Sequence, residues 1–169
     1  GIITSISLYC KSNAMKRDIT LYLVDTEKSS FSNGTDWIKV KSDDEVFNGT
    51  VTFVNNDWTT ITLTKPFAYD GTKNLAIITD DNTNSYNNYA MDFAASSTGS
   101  STYQAMYVCS FNTNYDPTYP NYQCQNRENR KCNVRIGFEI TELEIADKDS
   151  EAEAQNSIII ADNDGKTRI

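Results

Sequence analysis

Short runs of alternating polar and apolar residues, cut apart by turn-forming clusters, constrain this chain more than any other feature. In "TSISLYC", Ile6, Leu8 and Cys10 fall on one side, with Ser5, Ser7 and Tyr9 on the other. "DITLYLV" sets Ile19, Leu21 and Leu23 against Thr20, Tyr22 and Val24, and "NVRIGFEI" sets Val134, Ile136, Phe138 and Ile140 against Arg135, Gly137 and Glu139. A period of two buries one row of side chains and leaves the other wet, the pattern of an antiparallel sheet. Similar runs occur at "WIKVK", "GTVTFV", "TTITLT", "NLAIITD", "YAMDFAA" and "YQAMYVCS". Turn clusters such as "SSFSNGTD", "YDGTKN" and "SSTGSS" separate them. About nine short strands punctuated this way predict an all-β fold, a two-sheet antiparallel β-sandwich, jelly-roll-like or immunoglobulin-like. With almost no helical periodicity there are no crossover helices for a parallel α/β fold.

Composition closes several functional classes. The chain has no histidine, which removes Ser-His-Asp and Cys-His nucleophilic machinery and every imidazole-based metal site. A net charge of −8 with a pI near 4.5 argues against a nucleic-acid partner, since phosphate binding needs a basic patch. No apolar run approaches the ~20 residues that span a bilayer, so no direct membrane span is expected. Neither a GxGxxG nor a P-loop motif occurs. Glycosidase chemistry needs two carboxylates facing one another across a cleft, and only Glu139 and Asp92 lie on strand-like runs. The expectation is a noncatalytic protein, not an enzyme.

The cysteines are Cys10, Cys109, Cys124 and Cys132, with no Cys-x-x-Cys among them. Cys124 and Cys132 flank the polar "QNRENRK" and would close a short loop, contributing about 2–3 kcal/mol if unstrained. Cys10, in phase with Ile6 and Leu8, fits a buried thiol or a bridge to Cys109. Three pairings are formally open.

The composition shifts after Ile140. Residues 1–141 read as the sandwich module. Residues 142–156, from the acidic "TELEIADKDSEAEAQN", read as a linker. Residues 157–169, "SIIIADNDGKTRI", carry a hairpin signal at Asn163-Asp164-Gly165. They read as the start of a following module or as a docked terminal strand. The chain opens "GIITSISLYC" without an initiator Met, as an excised segment of a longer protein would.

Several stretches together resemble a known family: "ITSISLYC", "DITLYLVDTEKSSF" with "DWI", "VFNGTVTF", "WTTITLTKPFAYDG", "NLAIITDDNTNSY", "TNYDP" and "NVRIGFEI". In this order they look like the jelly-roll β-sandwich modules of large surface and secreted proteins of Bacteroidetes. Those modules are related to the adhesin (haemagglutinin) domains attached to cysteine proteases of that phylum. The resemblance covers most of residues 2–140, and the tail "NSIIIADNDGKTRI" resembles the opening of another module common in such proteins. It implies a noncatalytic, extracellular or cell-surface recognition module of adhesin or carbohydrate-binding type within a modular chain. Its expected partners are a glycan or host-surface ligand and the neighbouring modules. The alternative is a structural spacer or protein-binding module without glycan affinity.

Two segments carry candidate sites. "NTNYDPTYPNYQCQNRENRKC" holds Tyr115, Tyr119 and Tyr122 with Asp116 and Arg127, stiffened by two prolines. Flat aromatic faces for C–H stacking and polar groups for hydroxyls are what sugar recognition needs, and loops on a rigid scaffold are where such residues sit. The competing reading is a tyrosine-rich crossover that covers an open end of the sandwich. "TDDNTNSYNNY" offers Asp80, Asp81 and Asn82 as hard oxygen ligands suited to Ca²⁺, against a solvated Asx-rich turn. Trp58 opens "WTTITLTKPFAYDG", whose inward set is Ile61 and Leu63. It is expected, with Phe67, to pack in the core or at a sheet edge, the alternative being a stacking platform for sugar rings. Gly71 is expected to take the positive φ of a turn.

Overall fold

The computed structural model describes residues 1–12, 14–83, 92–110, 113–139, 160–161 and 167–168. Among the described residues thirteen strands run in chain order: β1 (Ile2–Ser12), β2 (Lys16–Thr26), β3 (Glu45–Thr52), β4 (Asp57–Ala68), β5 (Asn74–Asp81), β6 (Asp92–Phe93), β7 (Ala95–Ser97), β8 (Ala105–Tyr107), β9 (Asn126–Glu128), β10 (Arg130–Cys132), β11 (Val134–Glu139), β12 (Ile160–Ala161) and β13 (Thr167–Arg168). One 3-10 turn at Ser42–Asp44 is the sole helical element among the described residues.

Two antiparallel sheets make the body. One has the order β11-β1-β4, with β6 joining β1 beside Cys10 and Ser12; the other has the order β3-β2-β5. The expected all-β sandwich is therefore present, and its core lies where the alternation placed it. Ile3 and Ile6 of β1, Leu21 and Leu23 of β2, Val46 of β3 and Leu63 of β4 form one buried cluster. Leu8, Cys10, Ile19, Val51, Phe53 and Ile61 form a second. Burial of each such side chain contributes about 1.5–3 kcal/mol, which makes these two clusters the main source of stability.

Pro66 interrupts β4 without ending it. Ile3 pairs with Phe67, but Ser5 pairs with Thr62, so residues 63–66 bulge out of the ladder. A proline lacks the N–H that a ladder needs, and a bulge absorbs that loss. The same register break lets Ile3 join the core beside Ile6. Beyond β4, Gly71 adopts φ 77° in the turn to β5, as expected, and Tyr69 packs against the first cluster.

Four expectations need correction. "WIKVK" forms no strand: residues 37–41 join no ladder and are held by burial of Val40 and by the Trp37 indole. Trp58 is out of phase with Thr59, Ile61 and Leu63, so it lies on the outer face of its sheet rather than in the core. Its ring meets Tyr9 edge-on at 5.5 Å, and the Arg135 guanidinium lies 4.1 Å above it. Ile136 and Phe138 pair with Ile6 and Ile3 on the core-facing side, yet they stay 36% and 48% exposed because β11 is an edge strand. Finally, no disulfide links the four cysteines. Cys124 is buried against Gly34, donating its N–H to the Gly34 carbonyl at 2.7 Å, whereas Cys132 is paired with Ala95 in the β10–β7 ladder.

β12 and β13 pair antiparallel on either side of the expected Asn163-Asp164-Gly165 turn. That turn, Ile140 and the linker 142–156 lie outside the described residues.

Candidate functional site

β2 is covered on both faces. Its inward residues Ile19, Leu21 and Leu23 are buried in the core, but outward-facing Thr20 and Tyr22 are also 4% and 7% exposed. The outer cover comes from the tyrosine-rich loop between β8 and β9. Asn114 Nδ2 donates to Asn82 Oδ1 at 3.0 Å, joining that loop to the end of β5. Trp37 Nε1 donates to the Tyr122 carbonyl at 2.8 Å, and Gln125 N donates to the Tyr107 carbonyl at 2.8 Å. Gly34 lies close under the loop: a Cβ there would fall 1.7 Å from Gln123 Nε2, the movable end of a side chain, and 3.1 Å from Cys124 Sγ. The two segments singled out separately by their composition thus meet over one sheet face.

Inside the loop, Asp116 accepts hydrogen bonds from Thr118 N at 2.8 Å and Thr118 Oγ1 at 2.7 Å. This is an Asx turn, with Pro117 setting its second position. These two bonds hold the Asp116 carboxyl below its ordinary pKa. Tyr115 and Tyr122 pack at 4.6 Å with their planes 54° apart, and Trp37 meets Tyr122 at 5.3 Å and 64°. The three rings form a small aromatic nucleus rather than a coplanar platform. Tyr119 is apart from them, 64% exposed, with the Lys39 ammonium 5.6 Å from its ring centre.

Arg127 is not part of this group. Its guanidinium donates to the Phe31 and Ser32 carbonyls at 2.9 and 2.7 Å and lies 4.3 Å over Tyr103, tying down the 28–36 loop. Nor do Asp80, Asp81 and Asn82 converge as a ligand set. Consecutive strand residues face opposite ways, so Asp80 lies beside Thr20 on the outer face while Asp81 lies beside Ile19 and reaches Arg17 at 3.6 Å. Among the described residues no three acidic or thiol groups are gathered to hold a metal ion. Asp92 and Glu139 pair with Ser12 and Ile2 at opposite ends of β1. Ten residues of strand separate them, about 33 Å, far beyond the ~5–9.5 Å of a glycosidase pair.

The remaining groups line a cleft. Ile78, Asp80, Asn82, Asn114, Tyr115 and Tyr122 line an open cavity of ≈ 1740 Å³, together with Asp81 and the cations Arg17, Lys28 and Lys131. Asn82 Nδ2 donates to Asp80 Oδ2 at 3.1 Å, giving a relay from Asn114 through Asn82 to Asp80. Burial raises the Asp80 pKa, opposed by the Asn82 amide and reinforced by the charges of Asp116 and Asp81. Burial also raises Tyr22 and Tyr122, helped by Asp80 in both cases. Chemically, the described lining offers aromatic edges, a half-buried carboxylate, amide groups and basic side chains.

Tyr22 is the residue the sequence reading placed on the wet face. A signal was present: the outward positions of "DITLYLV" carry Thr20, Tyr22 and Val24 but no charge, which fits a strand covered on both sides. Comparison with protein-family models, curated proteins and solved structures found no match to this chain.

Proposed function

We propose that this chain is a noncatalytic recognition module that binds carbohydrate in the Asp80–Tyr122 cleft. The reading places it outside the cell or on its surface, as a jelly-roll module of a larger adhesin-type protein, in line with the sequence resemblance. The observation that carries it is the Asn114–Asn82 hydrogen bond, which assembles the tyrosine-rich loop and the Asx-rich strand end around one cleft. Amides and a carboxylate read sugar hydroxyls, aromatic rings stack on sugar C–H faces, and a rigid sandwich holds both in place.

A glycan array probed with wild type and with Asn114→Ala and Tyr115→Ala tests this. Retention of a glycan class by wild type, weakened in both variants at unchanged secondary structure, is expected. A wild type that retains no glycan would leave the spacer reading instead. That second reading draws on one specific observation: Tyr115, Tyr122 and Trp37 pack chiefly against each other. It predicts that the variants lower stability and alter no binding.

A further inference from the structure

An edge strand presents a row of unpaired backbone N–H and C=O groups, and natural sheets shield such edges with prolines, bulges or inward-facing charges. The sheet built on β1 ends in β4 on one side and β11 on the other. On β4 the shielding is present, since Lys65 and Pro66 stand where the ladder bulges. On β11 it is missing. Among the described residues β11 pairs with β1 alone, and "VRIGFE" carries no proline. Its inward positions hold Ile136 and Phe138 rather than a charge, and both stay 36% and 48% exposed at the rim of the sandwich.

This edge is complementary to itself. Antiparallel pairing with a second β11, about a two-fold axis at Gly137, sets Ile136 opposite Phe138 on the core side. On the outer side it sets Arg135 opposite Glu139, and each match occurs twice. Cross-strand partners share a face, so a register one residue off would turn the apolar row of one copy outward. Sliding by two residues opposes Arg135 or Glu139 to Gly137 and loses the charge match. The Arg135 guanidinium is held on the outer face, 4.1 Å over Trp58. Neither it nor Glu139 has an ion-pair partner among the described residues.

We propose that this edge is the contact surface for a second copy of the chain, with β11 joined to β11 and one sheet continuing through both sandwiches. The inference is independent of the carbohydrate reading. The contact is isologous, as a two-fold pair requires, and adds backbone hydrogen bonds, cross-strand pairs and cover for Ile136 and Phe138. The strand offers six residues a side. A standard interface uses about 20–30, so the dimer is weak, with a Kd of about 10 µM to 1 mM.

Sedimentation equilibrium of the full chain from about 10 µM to 1 mM is the test. Wild type is expected to pass from monomer to dimer. Arg135→Glu and Glu139→Arg, each alone, oppose like charges twice and should weaken the dimer about tenfold or more. Mixed in equal amounts, the two variants should associate as wild type does, because each then faces its opposite. Glu139→Arg leaves the Arg135–Trp58 contact in place, and Ile136→Lys puts an inward charge on the edge and should abolish association. An unchanged melting temperature shows that these variants fold. A wild type that stays monomeric overturns the proposal, as does a dimer indifferent to Glu139→Arg and Ile136→Lys, or a mixture that associates no better than its components. Slow amide exchange at every position of β11 in the dilute monomer would assign the edge to the chain's own residues and overturn it as well.

Discussion

Asp36 offers the most quantitative test of how the site is supported. Its carboxylate takes the Lys28 ammonium on Oδ1, and on Oδ2 it accepts Ser32 N at 2.8 Å and Ser32 Oγ at 2.9 Å. These contacts close the loop that presents Gly34 and leads into Trp37, the residues against which the tyrosine-rich segment packs. With the Lys28 hydrogen bond as the largest cause, followed by the Ser32 amide, the Asp36 pKa falls to about 2. In the unfolded chain it is about 3.9, and one pKa unit is worth about 1.4 kcal/mol. The full shift corresponds to roughly 2.5 kcal/mol, and solvent screening of this partly exposed pair reduces it to about 1–2 kcal/mol. Because the folded value is depressed, the stabilisation is complete above about pH 4 and drains away as pH falls through about 2. Asp36→Asn should therefore lower the unfolding free energy by about 1–2 kcal/mol at neutral pH, read from urea denaturation midpoints at constant slope. The gap between variant and wild type should narrow steadily between pH 4 and pH 2, other carboxylates cancelling in the difference. A gap that is constant across that window would show that packing, not charge, accounts for the loss, and the electrostatic account of the loop would be wrong.

Other outcomes follow from the same structure. Leu21→Ala, at a fully buried position on the central strand, should cost about 2–5 kcal/mol in denaturant unfolding. Trp37→Phe keeps a ring but deprives the Tyr122 carbonyl of its donor; a loss of about 1 kcal/mol is expected, with faster amide exchange at Cys124 as the local readout. Gly71→Ala forces a Cβ into φ 77° and should lower stability by about 1 kcal/mol, whereas Ala at the exposed Tyr119 should stay within about 0.5 kcal/mol of wild type. Adding a reductant should leave the melting temperature unchanged, since no disulfide is present to break.

The core was legible because its rule is local. Ile6, Leu8 and Cys10, like Ile19, Leu21 and Leu23, sit in the core as their alternation requires, and the Pro66 interruption shows up as a bulge. What escaped the sequence is what depends on distant segments. Tyr22 looked wet until the loop carrying Tyr122 was placed over it, a hundred residues along the chain. Trp58 looked like core because it is large, but the phase of β4 puts it outside with Arg135. Cys124 and Cys132 looked like partners because they are near in sequence; one is fixed under Gly34 and the other runs in a ladder with Ala95. The candidate site was half visible: the composition marked both of its segments, but only the fold shows that they share a cleft and that Arg127 is engaged elsewhere.

The double covering of β2 bears on how such a chain can change over evolutionary time. Most loops on a β-sandwich drift freely, since little of the interior depends on them. Here a loop acts as a third layer on the central strand, so substitutions at Gly34, Trp37, Tyr115 and Tyr122 are felt by the interior as well as by any ligand. Among related chains, new specificity should therefore arise at the tip around Tyr119 and at Asn114, while the aromatic nucleus beneath them stays as constrained as the core.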